Sequence, residues 1–195
     1  MRAGDQYENP VSGQRVVVLQ PSKDTGGEYL RMEEFVRPGG RLVLPHVHVG
    51  QTETFEVLEG RLGALVGSRR FTADQGETIT VAPGTEHDWW NDGDTELHVE
   101  WELRGPGVAR SEAMLETLGG LMNDGKINKK GLPNPLQMAV MGREFKDVFR
   151  PASPPPIFQD VLLGLLAPIG GALGYQATYE KYSTTPSDRE ERRRR

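Results

Sequence analysis

From residue 15 to residue 103, short segments rich in Val, Leu, Thr, Phe and Trp alternate with turns built of Gly, Pro, Asp and Asn. Nowhere in that stretch do apolar residues recur with a helical period. Extended segments broken at this spacing fold as paired strands. Strands are expected at 15–20, 29–37, 41–48, 52–58, 61–66, 77–81, 87–90 and 96–103. The turns between them include Pro38-Gly39-Gly40, Glu59-Gly60, Pro83-Gly84 and Asn91-Asp92-Gly93-Asp94. So many strands without a long internal helix predict a mainly β domain, either a sandwich or a closed barrel. A double-sheet jelly roll is one solution that limits exposed edges.

The pattern changes after Gly105-Pro106-Gly107. Ser111 is placed to cap a helix reaching about Met122, with Met114, Leu115, Leu118, Leu121 and Met122 on one face. Asn134 followed by Pro135 is a helix start, because proline at the first helical position loses no needed hydrogen bond. Met138, Met141, Phe145, Val148 and Phe149 form the stripe of that helix, which should stop near Arg150, before Pro151. A spacer, Pro154-Pro155-Pro156, then leads to the apolar stretch 157–174. That stretch carries Asp160 and Pro168 and is shorter than the roughly 20 apolar residues a membrane span requires. It is expected to pack on the barrel or against a second subunit. The chain thus divides into an N-terminal arm (1–14), a β-barrel (15–104), a helical extension (105–182) and a charged tail (183–195) expected to be disordered.

Composition narrows the chemistry. Zero cysteines exclude a disulfide framework, thiolate metal sites and a Cys nucleophile, so any metal must sit on His, carboxylate and water. A net charge of −5 argues against a nucleic-acid partner, and the four arginines that end the chain, residues 192–195, read as a solvated run. The first ten residues lack an apolar signal segment, so a cytoplasmic location is expected.

The chain has four histidines, at 46, 48, 87 and 98, and two of them form His46-Val47-His48 with Glu53 shortly beyond. On a strand, alternation sends His46 and His48 to one face, together with Leu42 and Leu44. Glu53, Phe55 and Val57 share a face of the next strand. The short link Val49-Gly50-Gln51 makes the two strands plausible neighbours, and His87 can add a third imidazole. Imidazole and carboxylate together suit first-row divalent metals. His98 lies on the polar side of the last strand with Glu100 and Glu102, a side expected to face solvent.

These residues resemble the cupins. The first cupin motif, G-X5-H-X-H-X(3 or 4)-E-X6-G, is matched throughout by Gly40, His46, His48, Glu53 and Gly60. The second, G-X5-P-X-G-X2-H-X3-N, is matched by Gly76, Gly84, His87 and Asn91, with Ala82 at the proline position and a proline at 83 instead. The resemblance implies a double-stranded β-helix, or jelly-roll barrel, carrying a C-terminal helical extension. It also implies one divalent first-row metal (Fe, Mn, Ni, Zn or Cu) on His46, His48, Glu53 and His87, glycines that permit tight turns, and a structural Asn91. Phe55, Val57, Trp89 and Gln51 are candidates to line a substrate. The function this suggests is oxygen-dependent oxidation of a small organic molecule by a dioxygenase-like oxidoreductase. A non-redox isomerase or lyase and a non-catalytic metabolite-binding barrel are the alternatives, and a homodimer paired through edge strands is the expected assembly.

Overall fold

The computed structural model describes residues 1–41 and 44–183. Eleven strands among them form two antiparallel sheets. In chain order these are β1 (Gln6–Asn9), β2 (Gln14–Gln20), β3 (Tyr29–Val36), β4 (His46–His48), β5 (Thr52–Glu59), β6 (Arg61–Val66), β7 (Arg69–Asp74), β8 (Thr78–Val81), β9 (His87–Asn91), β10 (Leu97–Arg104) and β11 (Phe149–Pro151). One sheet runs β1-β2-β3-β10-β5-β8 and the other β11-β4-β9-β6-β7. The inner faces meet in one apolar core that draws Met32, Phe55 and Trp101 from the first sheet and Leu62, Ala64 and Trp89 from the second. Each large side chain buried there contributes about 1.5–3 kcal/mol. The result is the jelly-roll barrel with a C-terminal helical extension that the strand pattern and the motifs predict.

Several local expectations are corrected. The strand expected at 41–48 is only β4, because Pro45 has no N–H with which to continue a ladder. Arg41 makes a single bridge to Trp90, Leu44 is exposed rather than sharing the histidine face, and Leu42 lies outside the described residues. Strands β4 and β5 are not paired neighbours: they belong to opposite sheets, and the link between them turns a barrel corner. A strand not among those expected, β7, opens at Arg69 after the tight turn Gly67-Ser68, with Val66 opposite Arg69. The arm ahead of residue 15 supplies a strand of its own, β1, paired with β2.

In the extension, α1 (Val108–Asn123) starts three residues before the expected cap; Gly107, at φ 79°, is its N-cap and Ser111 is buried inside the helix. Helix α2 (Pro135–Phe145) begins as expected, with the Asn134 side chain accepting a hydrogen bond from the Leu136 N–H. It ends before Arg150 because the backbone of Phe149–Pro151 is taken up by β4. Helix α3 (Pro156–Ala172) packs on α2 rather than on the barrel, and α4 (Glu180–Ser183) follows. Among the described residues, no helix is long and apolar enough to cross a membrane. The tail expected to be disordered lies, beyond Ser183, outside the described residues.

Candidate metal centre

Alternation and register together assemble the site. His46 and His48 are the two inward residues of the three-residue β4, with burial alternating along it. The antiparallel register of β4 with β9 sets His46 directly opposite His87. Glu53 comes from the facing sheet, as the first inward residue of β5. Gly84, at φ 72° in the left-handed region, folds the loop before His87 back on β4, where its N–H donates to the His48 carbonyl at 2.8 Å. Gly60 is needed twice over: its φ is 84°, and a Cβ there would stand 2.8 Å from the Glu96 carbonyl oxygen.

The four donor atoms lie within 4.8 Å of one another, and all four residues are buried. His46 Nε2 is 3.2 Å from His48 Nε2, and Glu53 Oε1 is 3.6 Å from His48 Nε2. His87 Nε2 stands 2.7 Å from Glu53 Oε2 but out of line for a hydrogen bond, so both atoms lack a hydrogen-bond partner. At the back of two rings, His46 Nδ1 lies 3.0 Å from the Leu44 carbonyl and His87 Nδ1 2.9 Å from that of Thr85. A carbonyl only accepts, so each Nδ1 carries a proton, and in the neutral form of either ring the unprotonated Nε2 is the nitrogen turned toward the centre. The Nε2 atoms of His46 and His48, in contact with each other, and the partnerless His87 Nε2 and Glu53 Oε2 meet at one buried point and are a donor set that fits a divalent cation.

Electrostatics hold His46 in the neutral form and favour the charged forms of Glu53 and His87. Burial drives His46 far down, to about 3, against the pull of Glu53. Burial pushes the Glu53 carboxyl up, but the His48 and His87 imidazoles outweigh it and hold the group well below the ordinary carboxylate range. His87 is raised: burial lowers it, and the adjacent Glu53 more than offsets this. In metal-free protein His46 is therefore expected to stay neutral and Nδ1-protonated from pH 7 down to pH 5. Nitrogen-15 NMR of the imidazole reads this directly, and a ring that titrates near the ordinary histidine value would contradict the buried geometry.

The next layer inward holds Phe55 and Trp89, each two residues along its strand from a donor, with ring centroids 5.2 Å apart. They and Val57 are part of the apolar core. Gln51 is buried at the β4–β5 corner, where its amide donates to the Pro106 carbonyl. Asn91 donates to the carbonyls of Val36 and Thr95 and accepts from the Gly93 N–H, which ties three segments together. His98 faces outward, stacked on Phe35 at 4.1 Å, with Glu33 at 3.6 Å.

Phe149 is the residue that the sequence did not reveal. Strand β11 adds to the edge of β4 and lays this ring over the histidines, parallel to His46 at 4.9 Å and edge-on to His48 at 5.8 Å. Its place on an apparent helical stripe disguised it, and the proline two residues later was the one hint of extended chain. Two clefts, of about 530 and 520 Å³, open in the helical extension, and neither is lined by the four donors.

A family model described as "Cupin domain" matches residues 32–101. No curated protein matches the chain. Among solved structures, one described as a predicted oxalate decarboxylase from Thermotoga maritima shares 18% identity, covering 53% of this chain and 92% of that one, with a TM-score of 0.47. The cupin domain of an XRE family transcriptional regulator from Enterobacter cloacae shares 20% identity over 48% of this chain and 97% of that one, with a TM-score of 0.43. A sugar phosphate isomerase from Silicibacter pomeroyi shares 21% identity over 53% and 69%, with a TM-score of 0.43.

Proposed function

Residues 32–101 make this chain a member of the cupin superfamily, and from that premise we propose that it holds one divalent first-row metal on His46, His48, Glu53 and His87 and acts on a small organic molecule. The observation that carries the reading is the convergence of four donors within 4.8 Å, with two imidazoles already fixed in the ligating tautomer. When bound, a metal on these three imidazoles and one carboxylate would supply a Lewis acid and, if redox-active, an electron source. The protein's own groups do the rest. The carbonyls of Leu44 and Thr85 orient the rings, and Glu53 stays anionic in a buried place because the imidazoles favour its charge. Phe149 keeps water from the His46 and His48 side. Phe55, Trp89 and Val57 are read as the apolar wall that meets the substrate, and Gln51 as the brace of the corner between the two ligand strands.

The reaction class we favour is oxygen-dependent oxidation, which an enclosed apolar surrounding suits because it excludes water from reactive species. Oxygen uptake by metal-loaded protein over a panel of flavonols, diketones and catechols tests it. Uptake with none of them, alongside conversion of hydroxy or carbonyl compounds, would move the assignment to a non-redox isomerase or lyase. A second reading, a barrel that binds a metabolite without turning it over, is favoured by the Phe149 ring lying across the histidines. Phe149→Ala tests whether the ring limits access to the site. It is expected to keep about one metal per chain while raising access, seen as a roughly 10-fold faster release of metal to a chelator, 1.4 kcal/mol off the barrier. An unchanged release rate would show that the ring does not guard the site.

We also read the molecule as a homodimer.

A further inference from the structure

We propose that two copies of this chain pair through helix α3, whose outer face is the subunit interface. The inference deepens the homodimer reading and rests on it, but moves the contact from the sheet edges to the extension. Seven large apolar side chains between Ile157 and Leu173 are each 48–71% exposed, while the opposite side of the helix packs on α2. Taken with ordinary side-chain areas, these exposures amount to on the order of 800 Å² of apolar surface, above the roughly 300–600 Å² of the largest patch on a typical monomer. About 800 Å² is also what one subunit brings to a standard interface of about 1,600 Å².

The stripe is self-complementary. Ile157, Val161, Leu165, Ile169 and Leu173 recur every fourth residue, and because each step drifts about 40° they form a ridge that winds about 160° around the exposed half of the helix over about 24 Å. Leu165 is the midpoint. A two-fold axis through it, with the helices antiparallel, sets Leu165 against its own copy, with Val161 and Ile169 about 40° to either side. Gly164, beside the midpoint, has open space where a Cβ would be, which lets a second helix approach closely.

Charge separates a second copy from a lipid surface. A helix that lies in a membrane interface carries Lys and Arg on its polar face. Helix α3 has neither, and its one charged group, Asp160, is already paired with Lys146 and Arg150.

Sedimentation equilibrium of the full chain tests the pairing. Wild-type protein at micromolar concentration is expected at twice the chain mass of 21.6 kDa. Leu165→Glu, which brings two carboxylates to the axis, is expected to sediment as a monomer, its dimerisation weakened at least 100-fold with an unchanged circular dichroism spectrum. A dimeric wild type whose Leu165→Glu variant remains dimeric would overturn the α3 interface and leave the homodimer standing. A monomeric wild type would overturn both. A monomeric wild type that floats with phosphatidylcholine vesicles, where Leu165→Glu does not, would assign the face to lipid instead.

Discussion

Removing both histidines of β4, as His46→Ala with His48→Ala, is expected to drop bound metal from about one per chain to near zero by elemental analysis after growth in metal-supplemented medium. The size of the effect follows from the geometry. Loss of a single group hydrogen-bonded behind a ligand typically costs roughly 10–100-fold in affinity, and this variant removes two of the four donors themselves. Stability gives a second readout. A ligand that binds only the folded protein, present at about 1,000 times its dissociation constant, stabilises by about 4 kcal/mol. In a domain of this size each kcal/mol moves the melting temperature by about 2–4 °C. Saturating metal is therefore expected to raise the wild-type transition by on the order of 10 °C and to leave that of the double variant unmoved. Metal that survives the double substitution would mean that it sits elsewhere on the chain.

The second large effect concerns a carboxyl that the metal site does not use. Glu34 is an inward residue of β3, completely enclosed in the barrel interior between Val16 on β2 and Val99 on β10. Gln14 Nε2 donates to its Oε1 at 3.4 Å, while Glu34 Oε2, Gln14 Oε1 and Trp101 Nε1 have no partner in good geometry. Burial pushes the carboxyl up to about 8, with a small further rise from Glu53, so it is a neutral acid at physiological pH. The folded protein then holds a proton that the unfolded chain releases near pH 4.5. The sign follows from linkage: between about pH 4.5 and 8 the folded state binds more protons, so stability falls as pH rises through that window and levels off above it. At about 1.4 kcal/mol per unit, the cost is on the order of 5 kcal/mol by about pH 8.5. Glu34→Gln removes the titration and keeps hydrogen-bonding groups beside Gln14 and Trp101. Denaturant unfolding is expected to show this variant more stable than wild type by about that amount at about pH 8.5, and by less than about 1 kcal/mol at about pH 5. An advantage of equal size at both pH values would show that packing rather than ionisation carries it.

The strands that bear the donors can be read directly, because their side chains alternate and their turns are marked by glycine and proline. The same periodicity places Phe55 and Trp89 in the layer next to the donors and His98 on the outer side, and Asn91 emerges as the structural tie that the second motif implies. Each of these is a local property, settled within a few residues of chain. Partnership between distant segments is not local. Nothing in Val49-Gly50-Gln51 tells whether a link closes a hairpin or turns a corner between sheets, so β4 and β5 read as neighbours although Glu53 reaches His48 from the opposite wall. Phe149 carries the same lesson, since one apolar residue suits a helical stripe and a short strand equally well until an open edge such as that of β4 captures its backbone.

The spacing of histidines, glutamate and glycines by itself determined the barrel and singled out four side chains that meet at one buried point, because side-chain alternation and turn geometry are written in residue type and interval. Only the tertiary structure decided that the extension closes over those donors through β11, that α3 turns its apolar side away from the barrel, and that Glu34 lies deep enough to keep its proton. Those outcomes depend on which surfaces meet in space, and burial, the quantity that governs them, belongs to the whole fold rather than to any stretch of chain.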